Sequence, residues 1–132
     1  MKILGIEHLA IAVESIDDSA PFWSHILKIP HRKTEVVESE GVTTDIYDTG
    51  RGKVELLESL GEDSPINNFL KKRGPGIHHV CFEVEDINSA IITPSTAFTI
   101  PIRIPPKICC RDEGKRIKKK FCQVVAPIDL VM

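Results

Sequence analysis

The sequence predicts an α+β fold: two paired βαβββ modules forming a curved, partly open barrel-like sheet, the second module irregular. Three observations predict it. Apolar and polar residues alternate with period two in short stretches, one helical pattern follows the first such stretch, and residues 6–16 reappear 71 positions later. In that repeat "IEHLAIAVESI" lies over "IHHVCFEVEDI", residues 77–87, with Ile6/Ile77, His8/His79, Val13/Val84, Glu14/Glu85 and Ile16/Ile87 identical. The match stays in register through a strand and into a helix start, which suggests internal duplication. The whole chain, 1–132, is expected to be a single domain, with module 1 at about 1–62, a linker at about 63–75 and module 2 at about 76–132, atypical after residue 91.

The elements follow in order. "ILGIEHLAIAV" alternates, with Glu7, Leu9, Ile11 and Val13 on one face and His8, Ala10 and Ala12 on the other. "ESIDDSAPFWSHILKI" predicts a helix: Ser15 with Asp18 three residues later resembles a capping box, and Phe22, Trp23, Ile26 and Leu27 form an apolar stripe that Pro30 ends. "RKTEVVES", "GVTTDIYDTG" and "GKVELLESL" then read as three strands separated by glycine-containing turns. The chain has 42% hydrophobic and 27% charged residues, enough to bury a core in one globular domain.

No apolar run approaches the roughly 18 residues needed to cross a bilayer, and the start lacks a signal-peptide cleavage pattern. The expected location is cytoplasmic, with no membrane partner. Cys81, Cys109, Cys110 and Cys122 show no CxxC spacing and are expected as reduced thiols. Charge is unevenly spread: residues 1–91 hold nine Lys and Arg against sixteen Asp and Glu, residues 92–132 eight against three. The basic segment "GKRIKKKF" could meet nucleic acid or a ligand's phosphates; we read it as a solvated turn and expect no nucleic-acid partner.

The duplicated histidines are the chemical signal. A lone histidine at a strand end reads as a hydrogen-bonded imidazole. Two at equivalent repeat positions, on faces otherwise carrying small side chains, point instead to a shared metal, with His8 and His79 facing each other across the trough. Glu55 sits between Val54 and Leu56, where a carboxylate is an odd choice for a buried position. Near the C-terminus Ile128, Asp129 and Leu130 echo that trio. His8, Glu55, His79 and Asp129 together make a mixed nitrogen and oxygen set suited to a divalent ion, with Co, Mn, Ni, Zn and Fe all open. An exposed edge-strand carboxylate remains the alternative for Glu55 and for Asp129.

With these residues in view, "IEHLAIAVESID" and "KVELLESLGEDSPINNFLKKRGPGIHHVCFEVEDI" resemble the vicinal oxygen chelate (glyoxalase-like) superfamily, and within it the methylmalonyl-CoA epimerases, from about residue 3 to residue 91. The resemblance implies that His8, Glu55 and His79 are metal ligands, that Asp129 stands in for the family's terminal Glu as ligand and acid/base, and that His78 supports the site or is structural. It implies interconversion of the 2R and 2S forms of methylmalonyl-CoA by removal of the C2 proton, through an enolate stabilised by the metal. An acyl-CoA substrate and a homodimer come with it. Lys71, Lys72 and Arg73, or Lys118, Lys119 and Lys120, are candidates for the CoA phosphates. Asp45, one residue beyond the place where some members carry a carboxylate, falls on the opposite strand face. Pro94, Pro101, Pro105 and Pro106 interrupt the helix and strand expected after Ile91. A glyoxalase-type isomerase or dioxygenase on the same scaffold, or a non-catalytic binding module, are the alternatives.

Overall fold

β-Strands need alternating faces to bury, and the first sixty residues supply them. The computed structural model describes residues 2–86, 107–109 and 120–123, the last two segments as backbone strands. They form β1 (Ile3–Ala12), α1 (Ile16–Pro21), β2 (His31–Val37), β3 (Val42–Asp48), β4 (Lys53–Ser59), α2 (Pro65–Arg73), β5 (Gly76–Val84), β6 (Lys107–Cys109) and β7 (Lys120–Gln123). The expected βαβββ order of the first module is therefore present. All seven strands join one sheet in the order β2-β3-β4-β1-β5-β7-β6. β1 runs parallel to β4 and antiparallel to β5, so the two repeated strands lie side by side at the centre.

The helix after β1 is shorter than its sequence pattern suggests. Ser15 caps it as expected, its hydroxyl accepting from the Asp18 N–H at 3.2 Å, while the Glu58 carboxylate accepts from the Ile16 N–H at 2.5 Å. After Pro21 the chain widens into a π-helical turn, Phe22–Ile26, in which the Leu27 N–H reaches the Phe22 carbonyl at 2.9 Å. Lys28 then turns left-handed at φ 54° and ends it. The wider turn breaks the 3.6-residue spacing, so the predicted stripe does not all face inward. Trp23 packs against the core, whereas Phe22, Ile26 and Leu27 are 51%, 71% and 45% exposed.

Each sheet face has its own core. On the α1 side Val13, Ile16, Tyr47, Val54 and Leu56 pack with Ala20, Trp23 and Ile29. On the other side Ala10, Ala12, Val42, Leu57 and Ile66 pack with Val37, Phe69 and Leu70, placing α2 against that face of the sheet. Burying a side chain such as Leu56 contributes about 1.5–3 kcal/mol. The connection expected as a linker thus contains a helix, capped by the Ser64 hydroxyl accepting from the Ile66 N–H at 3.1 Å, with Lys71, Lys72 and Arg73 in its last turn where the helix dipole favours cations.

The second module departs from the first. Where β1 has the parallel strand β4 beside it, β5 has β7, antiparallel, with Cys81 opposite Cys122 and Phe82 opposite Phe121. Asp129, Pro94, Pro101, Pro105, Pro106, Cys110, Lys118 and Lys119 lie outside the described residues. No helix among the described residues is long and apolar enough to cross a membrane.

Candidate metal centre

Strand register brings three of the predicted residues, His8, Glu55 and His79, together. Along β1, Ala10 lies opposite Glu55 of β4 on one side and His79 of β5 on the other, and His8 lies opposite Cys81. All five share the sheet face that α2 partly covers. Ala10 and Ala12, fully buried, keep that face low beside the imidazoles. His8 and Glu55 are 5% and 4% exposed, so Glu55 is not the exposed edge carboxylate that was its alternative. The His8 and His79 rings meet nearly edge to face, centroids 5.1 Å apart, with Nε2 to Nε2 at 3.0 Å.

Two β-bulges add residues that strict alternation hides. Between the pairs Ile6/Phe82 and His8/Cys81 the extra residue is Glu7; between Ala10/His79 and Ile11/Ile77 it is His78. A bulge turns two successive side chains towards one face. Glu7, expected opposite His8, is instead its partner: the Glu7 carboxylate accepts from His8 Nδ1 at 2.5 Å and, through its other oxygen, from Lys53 Nζ at 2.8 Å. His78 likewise meets His79, Nδ1 to Nδ1 at 2.9 Å, and its ring packs edge-on against Phe69 of α2 at 5.1 Å. The repeat offered a signal for this, since Glu7 and His78 are themselves equivalent positions.

Does this arrangement fit a divalent ion? Two ligand atoms about 2.1 Å from a common centre stand about 3.0 Å apart at right angles and about 3.4 Å apart at the tetrahedral angle, and the two Nε2 atoms are 3.0 Å apart. The donor types fit as well. Glu55 approaches the other edge of the same imidazole, its Oε1 at 3.7 Å from His8 Nδ1. Glu7, His8 and Cys81 also form a group of potential ligands, with one ligand atom of each within 4.8 Å of the others. Cys81, fully buried, extends the donor set beyond the residues that the sequence singled out.

Asp45 belongs elsewhere. It lies on the α1 face, as its position in the strand predicts, and accepts hydrogen bonds from Tyr47 Oη at 2.5 Å, Thr34 Oγ1 at 2.6 Å and His31 Nε2 at 2.6 Å. Burial alone would raise its pKa, but these bonds and the nearby imidazole hold it below the ordinary carboxylate value. The same contact, with burial as its larger cause, pushes the Tyr47 phenol up. This carboxylate is committed to structure.

The geometry can now be compared with known proteins. Methylmalonyl-CoA epimerase of human mitochondria is 39% identical over 88 residues, 66% of this chain and 50% of that protein. Among solved structures, a hypothetical protein from Bacillus halodurans is 43% identical with a TM-score of 0.63, covering 65% of this chain and 62% of the other. A methylmalonyl-CoA epimerase in complex with methylmalonyl-CoA and ammonium is 29% identical with a TM-score of 0.62, covering 68% and 67%. The chain spans about half the length of the first curated relatives it matches. Residues 7–93, from the first bulge through β5, match a family as a whole, and the sheet with its paired central strands agrees: this chain belongs to the Glyoxalase/Bleomycin resistance protein/Dioxygenase superfamily.

Proposed function

We propose that this chain is a metal-dependent epimerase that interconverts the 2R and 2S forms of methylmalonyl-CoA by moving the C2 proton. The observation that supports it is the pair formed by buried His8 and half-buried His79, delivered by duplicated strands with Nε2 atoms 3.0 Å apart and Glu55 at hand. Relatives named as methylmalonyl-CoA epimerases, one solved with that substrate, supply the reaction. His8, His79 and Glu55 would hold the ion, with Asp129 as the fourth ligand carried over from the family's terminal Glu. A divalent ion in such a site supplies Lewis-acid stabilisation of the charge left when C2 loses its proton. The chain's own residues hold the imidazoles in place. Asp129 is the proposed proton carrier on one face of C2. The homodimer, the cytoplasmic location and the two-module division belong to the same reading.

One observation favours a second reading. β7 lies antiparallel beside β5 where the duplication predicts a parallel strand, so a binding module without turnover is the competitor. The test is to incubate the protein with methylmalonyl-CoA in deuterated water, with and without Co²⁺, and to follow deuterium entering C2. Metal-dependent exchange that is lost in Asp129→Asn supports the proposal. A folded protein that binds the thioester but exchanges nothing overturns it in favour of the binding module.

A further inference from the structure

Glu7 and His78 stand in the same relation to the two central histidines. Each precedes its histidine in sequence, each is the extra residue of a bulge, and each contacts that histidine's Nδ1, at 2.5 Å and 2.9 Å respectively. They are 71 positions apart, the spacing of the repeat itself. We propose that Glu7 and His78 are the positioning residues of the metal centre: a duplicated dipeptide in which the first residue hydrogen-bonds Nδ1 of the second and so governs which tautomers its ring can adopt.

The hydrogen-bond logic is constrained. A carboxylate only accepts, so His8 must present Nδ1–H to Glu7, which leaves Nε2 of the neutral ring as a lone pair. Glu7 is itself held from the other side by Lys53 at 2.8 Å, so both of its oxygens are engaged and it is a brace more readily than a ligand. Without an ion, the lone pair of His8 Nε2 requires a donor at 3.0 Å, and His79 supplies it from Nε2–H. His79 Nδ1 then accepts from Nδ1–H of His78. Facing an ion, both Nε2 atoms must offer lone pairs, so His79 carries its proton on Nδ1 and donates it to His78, which becomes the acceptor. An imidazole can play both parts, whereas a carboxylate could play only the second. Glu7 thus fixes His8 in either state, and His78 permits His79 to change.

This inference rests on the metal-centre reading, and the experiment separates the two. Imidazole ¹⁵N spectra in mildly alkaline buffer report each ring's tautomer, and calorimetric titration with Zn²⁺ reports affinity. In the metal-free protein His8 should show Nδ1–H and His79 Nε2–H, with His79 and His78 exchanging tautomers on Zn²⁺ loading. Glu7→Ala should release the His8 tautomer and weaken Zn²⁺ binding on the order of 10–100-fold. Glu7→Gln, which keeps an acceptor oxygen, should restore the tautomer and much of the affinity, and His78→Ala should weaken binding with His8 unchanged. Thermal unfolding of the metal-free variants shows that each is folded. Zn²⁺ affinity within twofold of wild type in Glu7→Ala and His78→Ala, with binding lost in His8→Ala, would overturn the positioning role and leave the metal centre standing. Equally weak Zn²⁺ binding by wild type and His8→Ala would overturn the metal centre and this inference together.

Discussion

Tyr47 donates its phenolic proton to the Asp45 carboxylate over 2.5 Å, two residues apart on one strand face, with the side chain of Tyr47 wedged between Trp23 and His31. Asp45 is 3% exposed and Tyr47 1%, so removing the donor leaves a buried charge short of a partner. Tyr47→Phe should cost about 1.5–3 kcal/mol, as expected for a hydrogen bond to a charged group. Urea denaturation measures it, and a loss under 0.5 kcal/mol would mean that the contact is not formed in solution.

The same pair predicts a pH dependence. Asp45 titrates below its ordinary value of 3.8, so its contribution is complete above that value and is lost as pH falls through the folded pKa. Tyr47 is raised above 10.0, so its contribution is complete below that value and is lost at more alkaline pH, through its folded pKa. Melting temperature against pH should therefore fall more steeply on the acid side in wild type than in Asp45→Asn. Parallel curves would contradict the depressed pKa.

Gly52 opens β4 where the bulged β1 passes close. A Cβ at this position would stand 2.9 Å from the Ile6 carbonyl oxygen, a backbone atom that cannot swing aside. Gly52→Ala should destabilise the fold by about 1–3 kcal/mol, the usual cost of overpacking. It should also loosen Glu7, the neighbouring bulge residue, so Zn²⁺ affinity should fall along with stability.

Metal binding should be visible as stability. An ion held only by the folded chain, supplied at 100 times its Kd, adds about 2.7 kcal/mol. Melting of wild type with and without Co²⁺ should show that gain, and His8→Ala or His79→Ala should abolish it. Glu55→Ala should reduce the gain. Unchanged Co²⁺ stabilisation in Glu55→Ala would exclude it as a ligand.

Ser15 and Glu58 both serve the first turn of α1, one from the chain itself and one from β4. Ser15→Ala should cost about 1 kcal/mol, the ordinary value of an N-cap. Because Glu58 covers a different N–H, Ser15→Ala and Glu58→Ala should add within about 0.5 kcal/mol. A double-mutant cycle reads this directly.

The sequence by itself determined the βαβββ element order of the first module, the equivalence of two duplicated strands and the oddity of a carboxylate at Glu55. These follow from local periodicity and from an eleven-residue repeat, both of which are legible one residue at a time. The partnership of Glu7 with His8, and of His78 with His79, was decided only by tertiary structure. Strict alternation puts each pair on opposite faces, and nothing local in "EH" or "HH" announces a bulge; the extra residue is fixed by how β1 and β5 must register against each other. Cys81 joined the site for the same reason, since it stands opposite His8 only in that register. The inward stripe expected of α1 failed through a π turn after Pro21, which shifts each later side chain around the helix. Patterning specifies which residues are buried, whereas the register between distant strands specifies which of them meet.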